Sequence, residues 1–478
     1  MLRLPGATPY SRRWRALFRR LGVFRGGWSL PEVEAICADL RLIDTLDGLS
    51  SLVEQSLLVV RDEGGEPRFG MLETIREYAL EQLAAHGETE VTRREHATSY
   101  LRLAQAAEPK LFGADQLIWL KRLEAEHDNL RAALRWFLDS VDAAALHLSG
   151  TLVRFWFMRG YWSEGRRWLT AAIEAGHAPE TVRAKALTGA GLLAYYEGDT
   201  DRAIALCDEG LQLSRQLGDQ AGIAAALNGL ALAIQVGANY AAARAMYQES
   251  MDILRALQDT WGLAHTLNYL GLTHSRDDPP AARAFIAEGL ALFRKVGDRW
   301  GIALSLNNLG TVTSMHGEFA EARPLVEEAL VVFRTVEDKQ GMSRTLWLLG
   351  YIARNEGDYA LARRLYLEAL AILYTLGDRV LISQCLDGLA AVATVQGQPA
   401  AAARLFAAAT VLRDASGVRT PAHFLVQREQ QLAHTRALLG DDQFLAAWTE
   451  GQTMTPEQAA AQLSSELPEL PSAVQRGR

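Results

Sequence analysis

Between residues 183 and 417 the apolar positions recur with helical spacing, and that pattern itself repeats about every 40 residues. Asp219, Asp259, Asp298, Asp338 and Asp378 stand 40, 39, 40 and 40 positions apart. In step with them run Leu-Asn-Gly-Leu-Ala (227–231), Leu-Asn-Tyr-Leu-Gly (267–271), Leu-Asn-Asn-Leu-Gly (306–310), Leu-Trp-Leu-Leu-Gly (346–350) and Leu-Asp-Gly-Leu-Ala (386–390). A period of this length predicts a solenoid, in which each unit buries its apolar face only against its neighbours.

Inside a unit the spacing is regular. Gly350 is followed by Ala362, Tyr366 and Ala369, Gly310 by Ala322, Val326 and Ala329, and Ala231 by Ala243, Tyr247 and Ser250. Small residues at these offsets let two helices approach closely, and the larger residue fills the space between units. Gly317-Glu318-Phe319 and Gly357-Asp358-Tyr359 read as turns between a first helix, A, and a second, B. Each aspartate of the series then caps the next helix A. The pattern resembles the tetratricopeptide repeat, in a form whose helix B runs about two turns beyond the usual 34-residue unit. The resemblance implies an all-α fold, a right-handed superhelix over residues 145–417 with helix A on its concave side. Phe155–Ala172 reads as a degenerate first unit. After Gly417 the period stops. A helix from Thr420-Pro421 to Gly440 and a short one over Gln443–Glu450 are expected to cap the stack (418–464), with Phe444, Ala447 and Trp448 as apolar face. A disordered tail is expected over 465–478.

The N-terminal stretch has a different grammar. Trp14, Leu17, Phe18 and Leu21 predict a helix over 14–24, and Ser29 with Glu32 forms a capping box ahead of a second. Ile43, Leu46, Leu49, Leu52, Val53 and Leu57 predict a third helix over 42–57. Leu57–Val60 and Arg68–Met71 then read as strands around Asp62-Glu63-Gly64-Gly65. Three helices followed by one β-hairpin form a winged-helix pattern, assigned to residues 1–87. Residues 88–144 read as a linker of two helices broken at Pro109–Gly113. Within it Glu124, Glu126, His127 and Asp128 lack metal-ligand spacing and read as a solvated face with one packed histidine.

Three segments carry a wider resemblance. Arg68–Leu83 (RFGMLETIREYALEQL), Phe18–Phe24 with Gly26-Gly27-Trp28, and Glu126–Leu134 (EHDNLRAAL) resemble the winged helix and linker of signal-transduction ATPases with numerous domains. These bacterial, NB-ARC-related proteins are usually classed as transcriptional regulators. In that family a Met-His-Asp segment touches ADP held by a preceding ATPase domain; its counterpart here is Met71-Leu72-Glu73, with leucine in place of histidine. The sequence contains no GxxxxGK[ST] phosphate loop. The resemblance therefore implies the C-terminal part of such a regulator without its ATPase domain, and a separate ATPase domain is a possible partner of the N-terminal unit.

Composition narrows the function. The net charge of −8 argues against sequence-blind nucleic-acid binding by the whole chain, although residues 1–28 hold seven arginines and no acid. The candidate DNA reader, 44–55, carries Asp44, Asp47 and Glu54 and no cation, so a protein-packing adaptor is the favoured reading over DNA contact. Cys37, Cys207 and Cys385 are far apart and read as buried small hydrophobes. No apolar run reaches the length of a membrane span, no secretory signal pattern appears, and a cytoplasmic protein is expected. With no nucleophile elbow, metal spacing or glycine-rich phosphate loop, neither enzymatic activity nor a cofactor is expected.

What remains is binding on the concave wall. Helical steps of three and four place His265 and Asn268, then Asn307, then Arg344, Trp347, Tyr351 and Arg354, then Gln384 and Asp387 along it; Asn228 repeats the position of Asn268. Amides can serve a peptide backbone, and arginines flanking aromatics suit an acidic peptide or an anionic small molecule. The expected partner is a protein or peptide, or a small-molecule signal, held in this groove.

Overall fold

The computed structural model describes residues 9–38, 45–63, 66–176, 178–416 and 422–461. Two compact units emerge: Met1–Trp156 with Glu164–Gly189, and Phe157–Ser163 with Ala190–Arg478. The first thus takes in helices that the periodicity had grouped with the repeats.

In the first unit α1 (Pro9–Leu21), α2 (Leu30–Ile36) and α3 (Thr45–Glu54) precede a hairpin of β1 (Val59–Glu63) and β2 (Glu66–Gly70), then α4 (Glu73–Ala85). Leu17, Leu21, Phe24, Trp28, Leu49 and Phe69 are buried together with Ala79 and Leu83. The expected capping box forms at Ser29, whose N–H donates to Glu32 Oε2 at 3.2 Å. Val60 faces Phe69 across the hairpin, and Trp28 adds a third rung to Phe69. The linker contains α5 (Thr89–Ala107), a short 3₁₀ turn over Glu108–Phe112, α6 (Gln116–Ala125) and α7 (His127–Asp139). It has one more break than the two expected helices, at Glu126, whose side chain is turned inward (1% exposed).

Then come α8 (Ala144–Arg159), α9 (Trp162–Ala175) and α10 (Glu180–Tyr196), and after them the regular stack. Its members are α11 (Thr200–Leu217), α12 (Gln220–Ile234), α13 (Tyr240–Leu257), α14 (Thr260–His274), α15 (Pro279–Val296) and α16 (Arg299–Met315). The series continues through α17 (Phe319–Val336), α18 (Lys339–Asn355), α19 (Tyr359–Leu376), α20 (Arg379–Val395) and α21 (Pro399–Ser416). From α12 on, even-numbered helices are A helices and odd-numbered ones B helices. All five series aspartates cap an A helix: Asp219, Asp259, Asp298 and Asp378 accept from the N–H three residues on, and Asp338 from Gln340. The stretch Gln220–Gly237 is long and apolar enough to cross a membrane by length and composition, but it is a repeat A helix with half of its residues buried in the stack.

The small positions work as expected. Tyr366 of α19 is wedged between Gly350 of α18 and Gly388 of α20, where an added Cβ would come within 2.8 and 2.5 Å of its ring. Val326 lies in the same way against Gly310, and Cys207 between Gly191 and Gly229. All three cysteines are buried and free. A device absent from the sequence reading links successive A helices. Trp261 Nε1 donates to Asp298 at 2.6 Å, and Trp300 Nε1 donates to Asp338 at 2.8 Å. The stack ends in α22 (Ala422–Leu439), α23 (Asp441–Thr453) and α24 (Pro456–Ala461). Phe444 stacks on Trp448, and Ala447 is buried. The expected helix start at Thr420-Pro421 and the tail 465–478 lie outside the described residues.

Asp298 and Asp259 occupy the same cap position, but only Asp298 also receives a tryptophan. Asp259→Ala should cost about 1 kcal/mol as a lost cap, and Asp298→Ala about 2–3 kcal/mol because a partly buried indole bond to its carboxylate goes with it. Urea titrations followed by circular dichroism should show the larger midpoint drop for Asp298→Ala; equal drops would mean that the indole bond adds nothing.

Candidate functional site

The second unit encloses a cavity of about 590 Å³ bounded by α10, α14, α16, α18 and α20. Its walls include Tyr195, Tyr196, Asn307, Arg344, Trp347 and Gln384. Arg344 is solvent-exposed yet has the superhelix around it, as the inner wall of a coil requires. Loss of hydration works against its charge, but Tyr195, Asp378 and Tyr196 outweigh this and raise its pKa above the ordinary arginine value. Burial likewise pushes the Tyr195 hydroxyl up, with Arg344 pulling partly back. Glu197, Asp199 and Asp378 put negative charge on the wall, and Arg379 adds a second guanidinium. The segment 157–163 belongs to the same unit and packs behind one residue of the wall, Tyr196. Phe157 packs against Tyr196 and Trp300, with centroids at 4.8 and 5.3 Å, and Arg159 pairs with Glu337 at 2.9 Å.

The ten residues expected on the concave wall separate into groups. Asn307, Arg344, Trp347 and Gln384 line this cavity. Tyr351 and Arg354 stack beside it, the Arg354 guanidinium 5.2 Å above the Tyr351 ring. They face a gap of only about 40 Å³, whose other wall is Gln427, Arg428 and Gln431 of α22. Asn228 and His265 are half-buried; Asn228 Nδ2 donates to Thr266 of the next A helix at 2.9 Å, and His265 stacks on Trp261.

Two expectations are corrected. Asn268 is fully buried, donating to Ala264 O at 2.9 Å and packing against Gly289 of helix B, because its position on α14 turns inward rather than to the wall. Asp387 is neutralised by Arg413 and by Arg428 (2.9 Å) and ties α20 to α21 and α22 instead of awaiting a ligand. The sequence reading missed Tyr195, Tyr196 and Arg379. They reach the cavity from helices about 180 residues apart, which spacing within one helix does not reveal.

The winged helix offers a second surface. The exposed side of α3 presents Leu46, Asp47, Ser50 and Glu54 and no cation. Among the described arginines of the amino-terminal stretch, Arg13 and Arg15 are exposed, whereas Arg19, Arg20 and the backbone of Arg25 make contacts within the unit. Arg19 and Arg20 hold Glu88, and the Arg25 N–H donates to Asn129 Oδ1 at 2.7 Å. Asn129 also donates to Gly27 O and Glu126 Oε2, both at 2.8 Å, while Tyr100 donates to Glu126 at 2.7 Å and Arg68 pairs with it. Glu126 and Asn129 therefore form a buried clamp on the winged-helix loop and hairpin, which corrects the solvated-face expectation at Glu126, whereas Asp128 is exposed and His127 is packed as expected. His127 packs edge-on against Phe155 and contacts Glu164 at 3.3 Å. Among the described residues no cluster has metal-binding geometry.

Residues 11–84 match the family profile described as a winged helix-turn-helix domain, and 302–337 match a tetratricopeptide repeat. The chain is a winged helix joined to tetratricopeptide repeats. A Mycobacterium tuberculosis protein provisionally named as an HTH-type transcriptional regulator is 36% identical over 279 residues, and the match covers 55% of this chain and 31% of that protein. The chain thus spans about a third of the length of that curated relative. Among solved structures, a signal-transduction ATPase with numerous domains and a tetratricopeptide repeat sensor, from Pyrococcus horikoshii, matches with a TM-score of 0.54 at 16% identity, over 97% of this chain and 67% of that one. A Rap protein complexed with competence and sporulation factor matches with a TM-score of 0.52 at 13% identity, over 77% of this chain and 99% of that one. These likenesses agree with the winged-helix and solenoid fold built above.

The clamp has a pH consequence. Burial lowers the pKa of His96 from 6.5 to about 4, with the bond to Asn129 opposing the shift. The unfolded chain then takes up a proton that the folded one refuses, so stability falls as pH drops from 6.5 towards 4, by about 3 kcal/mol from this group. His96→Gln should remove that part of the slope. Urea midpoints at pH 7 and pH 4.5, read on the parent and the variant, check it, and parallel slopes would refute it.

Proposed function

We propose that this chain is the sensing part of a transcriptional regulator, in which the lumen of the repeats takes up a short peptide. The regulatory role rests on the winged helix, the repeats and the similarity to a provisionally named regulator. The peptide reading rests on one observation: Arg344 stands charged in a lumen furnished with Tyr195, Tyr196, Trp347, Asn307 and Gln384. Aromatic and arginine side chains at the centre of a concave site are the usual anchors of an interface. A peptide offers a carboxylate to Arg344, backbone amides to Asn307 and Gln384, and a cationic group to Glu197 and Asp199. The Rap structure, complexed with competence and sporulation factor, is in keeping with this use of the fold. The chain itself performs no chemistry in this reading and needs no cofactor.

The winged helix relays the event as a protein-docking adaptor, and an ATPase domain carried on a separate chain or a longer one is its partner. Val59, Val60 and Leu72 are exposed around the hairpin, giving such a partner an apolar surface.

Affinity selection from a pool of peptides of about five to eight residues tests the lumen. At least one peptide should be retained, and its affinity should fall at least about tenfold for Arg344→Ala combined with Trp347→Ala, but not for Arg334→Ala on the outer surface. An empty selection, or equal binding by the double variant, would refute the assignment. For the winged helix, a gel shift of the full chain at roughly 0.15 M salt should show no sequence-preferring complex with DNA, since α3 presents no cation to phosphate. A specific shift would instead make the winged helix a DNA reader.

A further inference from the structure

The first unit holds a second cavity, of about 540 Å³, between the end of α1, α4, α5 and α7. Five guanidiniums line it: Arg25, Arg76, Arg93, Arg131 and Arg135. Three carboxylates, Glu73, Asp128 and Asp139, share the walls, so the lining carries two positive charges in excess. Three of the cations are already committed. Arg76 binds Glu73 (Nε at 2.9 Å) and donates to Gly22 O, Arg25 lies 3.7 Å from Glu73, and Arg131 bridges Asp128 at 3.0 Å and Glu164 at 2.7 Å. Arg93 on α5 and Arg135 on α7 are exposed and have no ion pair or hydrogen bond among the described residues.

Several guanidiniums converging on one cavity repel one another, and an anion held between them removes that cost. Their planar forks match the oxygens of a phosphate, and Arg93 and Arg135, which pair with no carboxylate among the described residues, present two such forks. Trp136 gives the cavity a flat apolar wall. The volume falls in the range of small-molecule sites. We propose that this cavity binds a small phosphorylated molecule, with Arg93 and Arg135 as its principal ligands and Trp136 covering its apolar part. Arg25 and Arg76 belong to the winged helix and Arg93, Arg131 and Arg135 to the linker helices, so an occupant bridges the two. This site is independent of the peptide lumen.

Isothermal titration of the full chain with inorganic pyrophosphate tests it, with citrate as a polycarboxylate of comparable charge. Saturable binding near one equivalent is expected for pyrophosphate, weaker by at least about tenfold for citrate and for Arg93→Gln combined with Arg135→Gln. Arg334→Gln, outside the cavity, should bind as the parent does. Both substituted arginines are exposed and unpaired, so the double variant should melt with the parent in phosphate-free buffer; if it melts earlier, Arg93→Gln alone takes its place. Absence of saturable pyrophosphate binding, undiminished binding by the variant, or citrate binding as tightly as pyrophosphate would each overturn the proposal.

Discussion

Tyr366 is the contact on which the reading of this molecule turns. Its ring occupies the space left by two missing side chains, at Gly350 in its own unit and at Gly388 in the next. A helix pair with apolar residues on its inner face cannot be stable alone; it is stabilised by inserting one large side chain between the A helices on either side. Each unit thereby fixes the distance to its neighbour and commits its own A helix to the inside of the coil. Cys207 does the same between Gly191 and Gly229 with a much smaller side chain, so the junction tolerates different plugs while the small positions stay small. Curvature, the inward wall and the lumen all descend from that alternation of small and large.

The series aspartates add direction to this packing. A cap stabilises the start of one helix, but Asp298 and Asp338 also accept the indole N–H of the preceding A helix. A junction that joins local capping to a bond about 38 residues away cannot slide by one turn without losing both. Asn228 to Thr266 and Thr345 to Asn307 put a second set of bonds across the same junctions. Part of the amide ladder therefore holds the coil together, and Asn307 does this while also facing the lumen.

Fold was far more legible in the sequence than site. Periodicity, small-residue offsets and capping aspartates are local, and each survives as a helix boundary or a close approach. The solvated-face expectation fails at Glu126 because helical wheels assume an uninterrupted helix, whereas the helix breaks there and turns that carboxylate inward to meet Tyr100 and Arg68. Asn268 was misplaced for a related reason. Steps of three and four identify a face, but the boundary between the wall and the packed interior falls within one residue's rotation, and Asn308 rather than solvent meets its amide oxygen. Asp387 looked available only because Arg413 and Arg428 lie 26 and 41 residues further along the chain, beyond any helical register.

The limits of the lumen say what kind of ligand it can serve. An open groove along the whole stack would suit a long extended segment, with affinity spread over many repeats. Here Gln427, Arg428 and Gln431 of α22 cover the wall at Tyr351 and Arg354. Trp347 and Gln384 border both the large cavity and that small gap, which marks where the free space stops. A chain long enough to run through both would have to displace α22 and break the Asp387–Arg428 pair, a cost of several kcal/mol for a largely buried carboxylate deprived of one of its two guanidiniums. A short ligand avoids that cost and still reaches Arg344. The lumen therefore favours a compact occupant gripped at its charged group, with Arg354, stacked on Tyr351, serving the wall of the site rather than its contents.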